Sequence, residues 1–216
     1  MKKLIVLMRI IVIFYFIIGL IKWDITTMVA GLLSLVLMII SSYFIKKLNY
    51  SRQLELLIYI FIITTEVLGE VYHFYTRVSY FDIIMHIYSS FVISYIGISI
   101  IKRYKLSRIV TILFIFSFAM MCESVWEIGE FSIDRIFKSD MQKDTVINNI
   151  SSTYLSLDGD KPLSIDIYDV NVNGISFTDK YGGYIDIGLY DTISDMICAV
   201  IGSIFFIFIY YFKKKE

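Results

Sequence analysis

The chain has 216 residues, 57 % of them apolar and 17 % aromatic, with one proline, 20 basic and 20 acidic residues, and a formal net charge of zero. Its mean hydropathy is +0.72, well above that of a water-soluble domain, which is about half apolar and about a quarter charged. The scarcity of glycine, proline and cysteine excludes collagen-like, disordered and disulfide-scaffold chains, and the zero net charge argues against nucleic acid as a partner.

Six windows are long and apolar enough to cross a hydrocarbon layer roughly 30 Å thick, which takes about 20 helical residues. They are Leu4 to Ile21, Ile25 to Ile45, Leu54 to Tyr72, Phe81 to Ile101, Ile109 to Ile128 and Ile193 to Phe212. The fold expected is an all-α polytopic membrane protein with six transmembrane helices and a small β-containing extracytoplasmic insert between helices 5 and 6. Lys2 and Lys3 precede an apolar run as in a signal peptide. However, Ile17 to Lys22 offers no small-x-small cleavage site and a second span follows at once, so the first helix is expected to be retained.

Lys2, Lys3, Lys46, Lys47, Arg52, Lys102, Arg103, Lys105, Arg108, Lys213, Lys214 and Lys215 fall at the termini or in the second and fourth connections. Lysine and arginine mark the cytoplasmic side, so the termini are expected in the cytoplasm of a bacterium and the protein in its inner membrane. Arg9 lies inside the first span and is expected to snorkel toward the cytoplasmic face.

Helices 1 to 5 are expected within residues 1–130, an extracytoplasmic cap over 131–188, and helix 6 with a basic tail over 189–216. The cap is polar and holds the only proline, Pro162. Apolar residues alternate at Leu163, Ile165, Ile167, Val170 and Val172, and Asn173-Gly174 before Ile175 and Phe177 is a hairpin signal. Tyr181, Tyr184 and Tyr190 are expected at the membrane interface. Asp158-Gly159-Asp160 lacks the rest of a calcium loop and reads as a turn, and Asn149-Ile150-Ser151 is a chance-level glycosylation sequon.

Of the 20 acids, all but Glu55 and Glu216 fall in the outer half or the outer connections. Glu66, Glu70 and His73 mark the third helix end, Asp82 and His86 open the fourth, Glu123 and Glu127 approach the end of the fifth with Glu130 and Asp134 beyond, and Asp191 and Asp195 open the sixth. Pairs spaced by three or four share a helix face where the helix persists. A carboxylate buried in lipid is costly unless protonated, paired or bound to a cation, and Arg9 lies toward the opposite side. Shared protons, a water-filled pocket or a metal remain, and only a metal also accounts for both histidines of the chain.

Expected metal ligands are Glu70, His73, Asp82, His86, Glu127, Glu130, Asp191 and Asp195, with Glu66, Glu123 or Asp195 for catalysis. Iron, manganese, zinc or magnesium would suit such donors. A di-iron bundle needs two Glu-x-x-His motifs, and only Glu70-Val71-Tyr72-His73 is present. Glu66 and Glu123 could instead hydrogen-bond across the bundle while protonated. Cys122 and Cys198 read as small apolar residues, with a disulfide or ligand role conceivable. Gly97 and Gly202 read as helix-packing positions.

Glu70-x-x-His73, Asp82-Ile-Ile-Met-His86 with Ser89-Ser90-Phe91, Glu123-Ser-Val-Trp126-Glu127-x-x-Glu130-Phe131, Met141-Gln142-Lys143-Asp144 and Asp191-Thr192-x-x-Asp195 resemble the bacterial YjdF-like inner-membrane proteins. The resemblance covers roughly residues 60 to 202. It implies a small polytopic domain of unknown function, with the polar cluster as a family feature. Three functions follow from the residues. One is a membrane enzyme, metal-dependent or acid–base, acting on a lipid or cell-envelope precursor; another is a cation- or proton-coupled transporter; the third is a non-catalytic membrane protein that binds an envelope partner through its cap.

Overall fold

The computed structural model describes residues 1–157 and 159–213. Asp158 of the Asp158-Gly159-Asp160 turn, and Lys214, Lys215 and Glu216 of the basic tail, lie outside the described residues. Among the described residues, five helices are each long and apolar enough to cross a membrane: α1 (Lys2–Lys22), α2 (Ile25–Lys47), α5 (Phe81–Ile101), α6 (Arg108–Phe137) and α8, whose apolar part is Leu189–Phe212. The remaining expected span, Leu54 to Tyr72, is built differently. It begins as α3 (Arg52–Ile63) and continues without a break as a π-helical stretch over Thr64–Val71. Thr65 Oγ1 donates to the carbonyls of Phe61 and Ile62 at 3.0 and 3.1 Å where the helix widens, the kind of back-bonding that disturbs a helical ladder.

Caps explain where the helices start. Asp24 Oδ1 accepts from Thr26 N at 3.1 Å and Asp24 Oδ2 from Thr27 Oγ1 at 2.6 Å at the entry to α2, and Ser51 Oγ accepts from Leu54 N at 3.2 Å at the entry to α3. Such side chains satisfy amides that have no carbonyl four residues back. α4 is a single turn, Phe74–Arg77, entered through His73 with φ of 57°.

The chain divides into two compact units, Met1–Glu123 with Asp195–Glu216, and Ser124–Ser194. The first contains two apolar centres. Ile5, Met8, Val12, Met38, Tyr59 and Ile62 join α1, α2 and α3, and Ile98, Ile101, Ile115 and Phe206 join α5, α6 and α8. The many large apolar side chains left exposed on α1 and α2 are what a bilayer covers. A membrane protein need not bury them against itself.

Arg9 and Glu55, which the sequence places toward the same side of the helices, meet in one polar network. Arg9 donates to Tyr59 Oη from Nε at 2.8 Å and to Ser42 Oγ from Nη2 at 2.6 Å. Glu55, 2 % exposed, accepts from Ser42 Oγ at 2.5 Å and pairs with Arg52 Nη1 at 2.9 Å. Tyr59 Oη also donates to the carbonyl of Met38 at 3.0 Å. One polar network therefore ties three otherwise apolar helices.

In the second unit α6 runs to Phe137, past the expected boundary at Glu130. Asp134 then turns the chain, accepting from Ser139 Oγ at 2.8 Å, Met141 N at 2.7 Å and Gln142 N at 2.9 Å. Three two-stranded antiparallel sheets follow: β1 (Val146–Ile147) with β6 (Tyr184–Ile185), β2 (Asn149–Ser152) with β3 (Leu163–Asp166), and β4 (Asn171–Val172) with β5 (Ile175–Ser176). The last is the expected hairpin. Asn173 and Gly174 both have positive φ, 51° and 80°, as a two-residue turn of this hand requires. α7 (Phe177–Tyr181) precedes β6.

Asp186 closes this unit, accepting from Thr145 N at 2.6 Å and Tyr190 N at 3.1 Å. Burial pushes its carboxyl up, but backbone N–H donors from Thr145, Tyr190, Gly188 and Leu189 outweigh it and hold it below the ordinary carboxylate value. A depressed folded value stabilises the fold above the unfolded value of about 4 and loses that contribution as pH falls through the folded value. Asp186→Asn is expected to speed exchange of the Thr145 and Tyr190 amides roughly fivefold at neutral pH. It should also reduce their further loss of protection in acid, read by hydrogen-exchange mass spectrometry corrected for intrinsic rates.

Candidate metal centre

α5 and α8 run parallel at close range, and their small residues make this possible. Ser90 Oγ donates to the carbonyl of Ala199 at 2.6 Å, both residues being buried. A Cβ on Gly202 would collide with the carbonyl oxygen of Ile87. One turn before Ser90 and Ala199, the same register sets His86 opposite Asp195. Further along α5, a Cβ on Gly97 would press on the Phe118 ring of α6 at 3.1 Å, so this contact also runs close. Glu123 of α6 then reaches His86.

The resulting cluster is compact. His86 Nδ1 lies 2.6 Å from Glu123 Oε1, and His86 Nε2 lies 3.5 Å from Asp195 Oδ2 and 3.7 Å from Asp82 Oδ1. Side-chain exposure is 10 % for His86, 3 % for both Glu123 and Asp195, and 18 % for Asp82. An ionised carboxylate only accepts, so Nδ1 carries a proton toward Glu123, and Nε2 faces the two aspartates. One ligand atom from each of Asp82, His86 and Asp195 falls within 4.8 Å of the others.

Spacing decides what the cluster fits. Distances of 3.5 and 3.7 Å are long for an N–H···O hydrogen bond, yet two ligands at about 2.1 Å from one ion and at a tetrahedral angle stand about 3.4 Å apart. A carboxylate on the far nitrogen of a ligating histidine is the usual arrangement that orients the ring and raises its basicity. Three ionised carboxylates around one neutral imidazole would otherwise concentrate negative charge among apolar helices, where it is costly.

Glu70 and His73 are exposed, and the face they were expected to share ends with the π-helical stretch at Val71, because His73 is left-handed. Glu66 is half-buried on that stretch and is not among the grouped ligand atoms. Glu127 and Glu130 are buried on α6, and Glu130 accepts from Trp126 Nε1 at 2.7 Å. Asp191 accepts from Lys143 N at 2.9 Å, a bond that organises the Ser124–Ser194 unit. Cys122 and Cys198 are not disulfide-bonded. Glu55 and Arg9 are the polar pair that sequence reasoning missed. Its trace was Arg52, Glu55 and Tyr59 at helical spacing on α3, with nothing in the pattern to relate them to Arg9 and Ser42 on two other helices.

Gly202→Ala is expected to push α8 off Ile87 and so carry Asp195 away from His86. It should lower thermal stability, read by thermal unfolding of the purified variant.

Apolar helices that leave their outer faces bare and sequester acids and a histidine inside define a polytopic α-helical membrane protein. The chain belongs to the family described as predicted membrane protein DUF2238, whose model matches residues 3–216. This agrees with the YjdF-like resemblance and extends it over the first two helices. No functionally curated protein and no solved structure matches the chain.

Proposed function

We propose that the protein is a metal-dependent membrane enzyme in which Asp82, His86 and Asp195 bind a divalent cation, and that its substrate is a lipid or cell-envelope precursor. The observation that carries this is the arrangement around His86, with Glu123 at 2.6 Å on one ring nitrogen and oxygens of buried Asp195 and partly exposed Asp82 facing the other. An imidazole with carboxylates favours manganese, iron or zinc over magnesium. Such an ion would supply an activated water and polarise a phosphoryl or carbonyl oxygen. His86 and the aspartates hold the ion's position, Glu123 holds the His86 ring, and the surrounding apolar helices exclude bulk water. The charge asymmetry of the sequence supports termini in the cytoplasm of a bacterium, with this cluster toward the outer leaflet.

Cation- or proton-coupled transport is the second reading, favoured by the Arg9–Glu55–Tyr59 network, in which the Glu55 carboxylate is buried, as a further charged group within the helices. Purified protein incubated with a bacterial lipid extract and manganese, iron or zinc separates the two. Conversion of a lipid species, seen by mass spectrometry with wild type and not with His86→Ala, supports the enzyme. Cation flux in proteoliposomes without lipid conversion would establish the transporter instead.

A further inference from the structure

A second site lies at the basic end of the helices, away from His86. The start of α6 and the last turns of α8 enclose a groove of about 280 Å³ lined by Ile112, Ile204, Ile207 and Phe208, with Arg108 and Tyr211 at its mouth. The Arg108 guanidinium lies 4.5 Å from the centre of the Tyr211 ring, and Tyr211 Oη donates to the Arg108 carbonyl at 3.3 Å. Stacking on the ring holds the guanidinium plane.

No carboxylate pairs with Arg108 among the described residues, nor with Lys102, Arg103 or Lys105 on the connection before it. Arg108, one of four cations within seven residues, thus lines an apolar slot between two membrane-crossing helices. An occupant of that slot must be apolar where Ile204 and Ile207 line it and anionic at its mouth. A guanidinium fork matches the oxygens of a phosphate, and basic pockets between transmembrane helices suit acidic headgroups.

We propose that the α6–α8 groove seats an acyl chain of an anionic phospholipid whose phosphate is held by Arg108. The site is independent of the metal centre and of the orientation proposed above. The test is native mass spectrometry of the full chain exchanged into detergent with equal phosphatidylglycerol and phosphatidylcholine. Wild type should retain phosphatidylglycerol preferentially. Arg108→Gln should lose about fivefold of that retention, and Ile207→Trp, which fills the groove and keeps every charge, should lose as much. Ile204→Trp serves the same purpose if the Ile207 variant does not elute as folded, helical protein.

Equal retention of the two lipids would overturn the proposal. So would retention unchanged by both groove-filling variants, which would mean a basic surface only. Displacement of phosphatidylglycerol by inorganic phosphate at matched ionic strength would reduce the site to a phosphate pocket and also overturn it.

Discussion

His86→Ala is expected to abolish cation binding, raising Kd by at least about 100-fold, because it removes the only nitrogen donor and the group through which Glu123 acts. The rest of the series should be graded by geometry. Asp195→Asn should approach the effect of His86→Ala, since Asp195 is 3 % exposed and 3.5 Å from Nε2. Asp82→Asn should have the smaller effect, its side chain being 18 % exposed and 3.7 Å away, where water can replace it. Glu123→Gln should weaken binding about 10- to 100-fold while leaving the ligands in place, the range for an orienting partner. Isothermal titration with manganese or zinc ranks them. A Glu123→Gln variant that binds as well as wild type would show that His86 is not held from Nδ1.

At the other network, the double substitution Arg9→Leu with Arg52→Leu is expected to destabilise the protein by about 3–5 kcal/mol, because it leaves the Glu55 carboxylate buried with no cation near it. Glu55→Leu should cost much less, about 1 kcal/mol. Arg9 and Arg52 are 41 % and 56 % exposed, so either guanidinium can reach water or headgroups once the acid is gone. Tyr59→Phe should fall between them, removing the hydroxyl that accepts from Arg9 and donates to Met38. Thermal unfolding in detergent gives the order. If Glu55→Leu proves the most damaging, Glu55 contributes as a packed side chain rather than as a paired charge.

Both networks bear on how far the sequence carries. Hydropathy made the spans legible because a membrane helix must be continuously apolar, and Asn173-Gly174 marked its hairpin because few residues tolerate the turn's positive φ. Asp82, His86, Glu123 and Asp195 were nameable because acids and a histidine stand out in apolar windows at helical spacing. Their grouping was not legible, since it depends on the approach of α5 to α8 over Gly202 and of α5 to α6 over Gly97. Glu70 and His73 were carried along by a spacing that holds only while the α-helix lasts, and nothing in hydropathy announces a widening at Thr64 or a left-handed His73. Arg9 and Glu55 failed for the opposite reason. Arg52, Glu55 and Tyr59 share α3, but Arg9 and Ser42 lie on two other helices, so no spacing within one helix joins the whole set.

The central claim is that a cation completes the cluster around His86. Elemental analysis of protein purified in mild detergent without chelator or metal-affinity resin tests it most directly. The expected result is about one manganese, iron or zinc ion per chain in wild type, absent from His86→Ala and Asp195→Asn proteins of equal helicity. Wild type that holds no stoichiometric metal and takes up none on titration would contradict it.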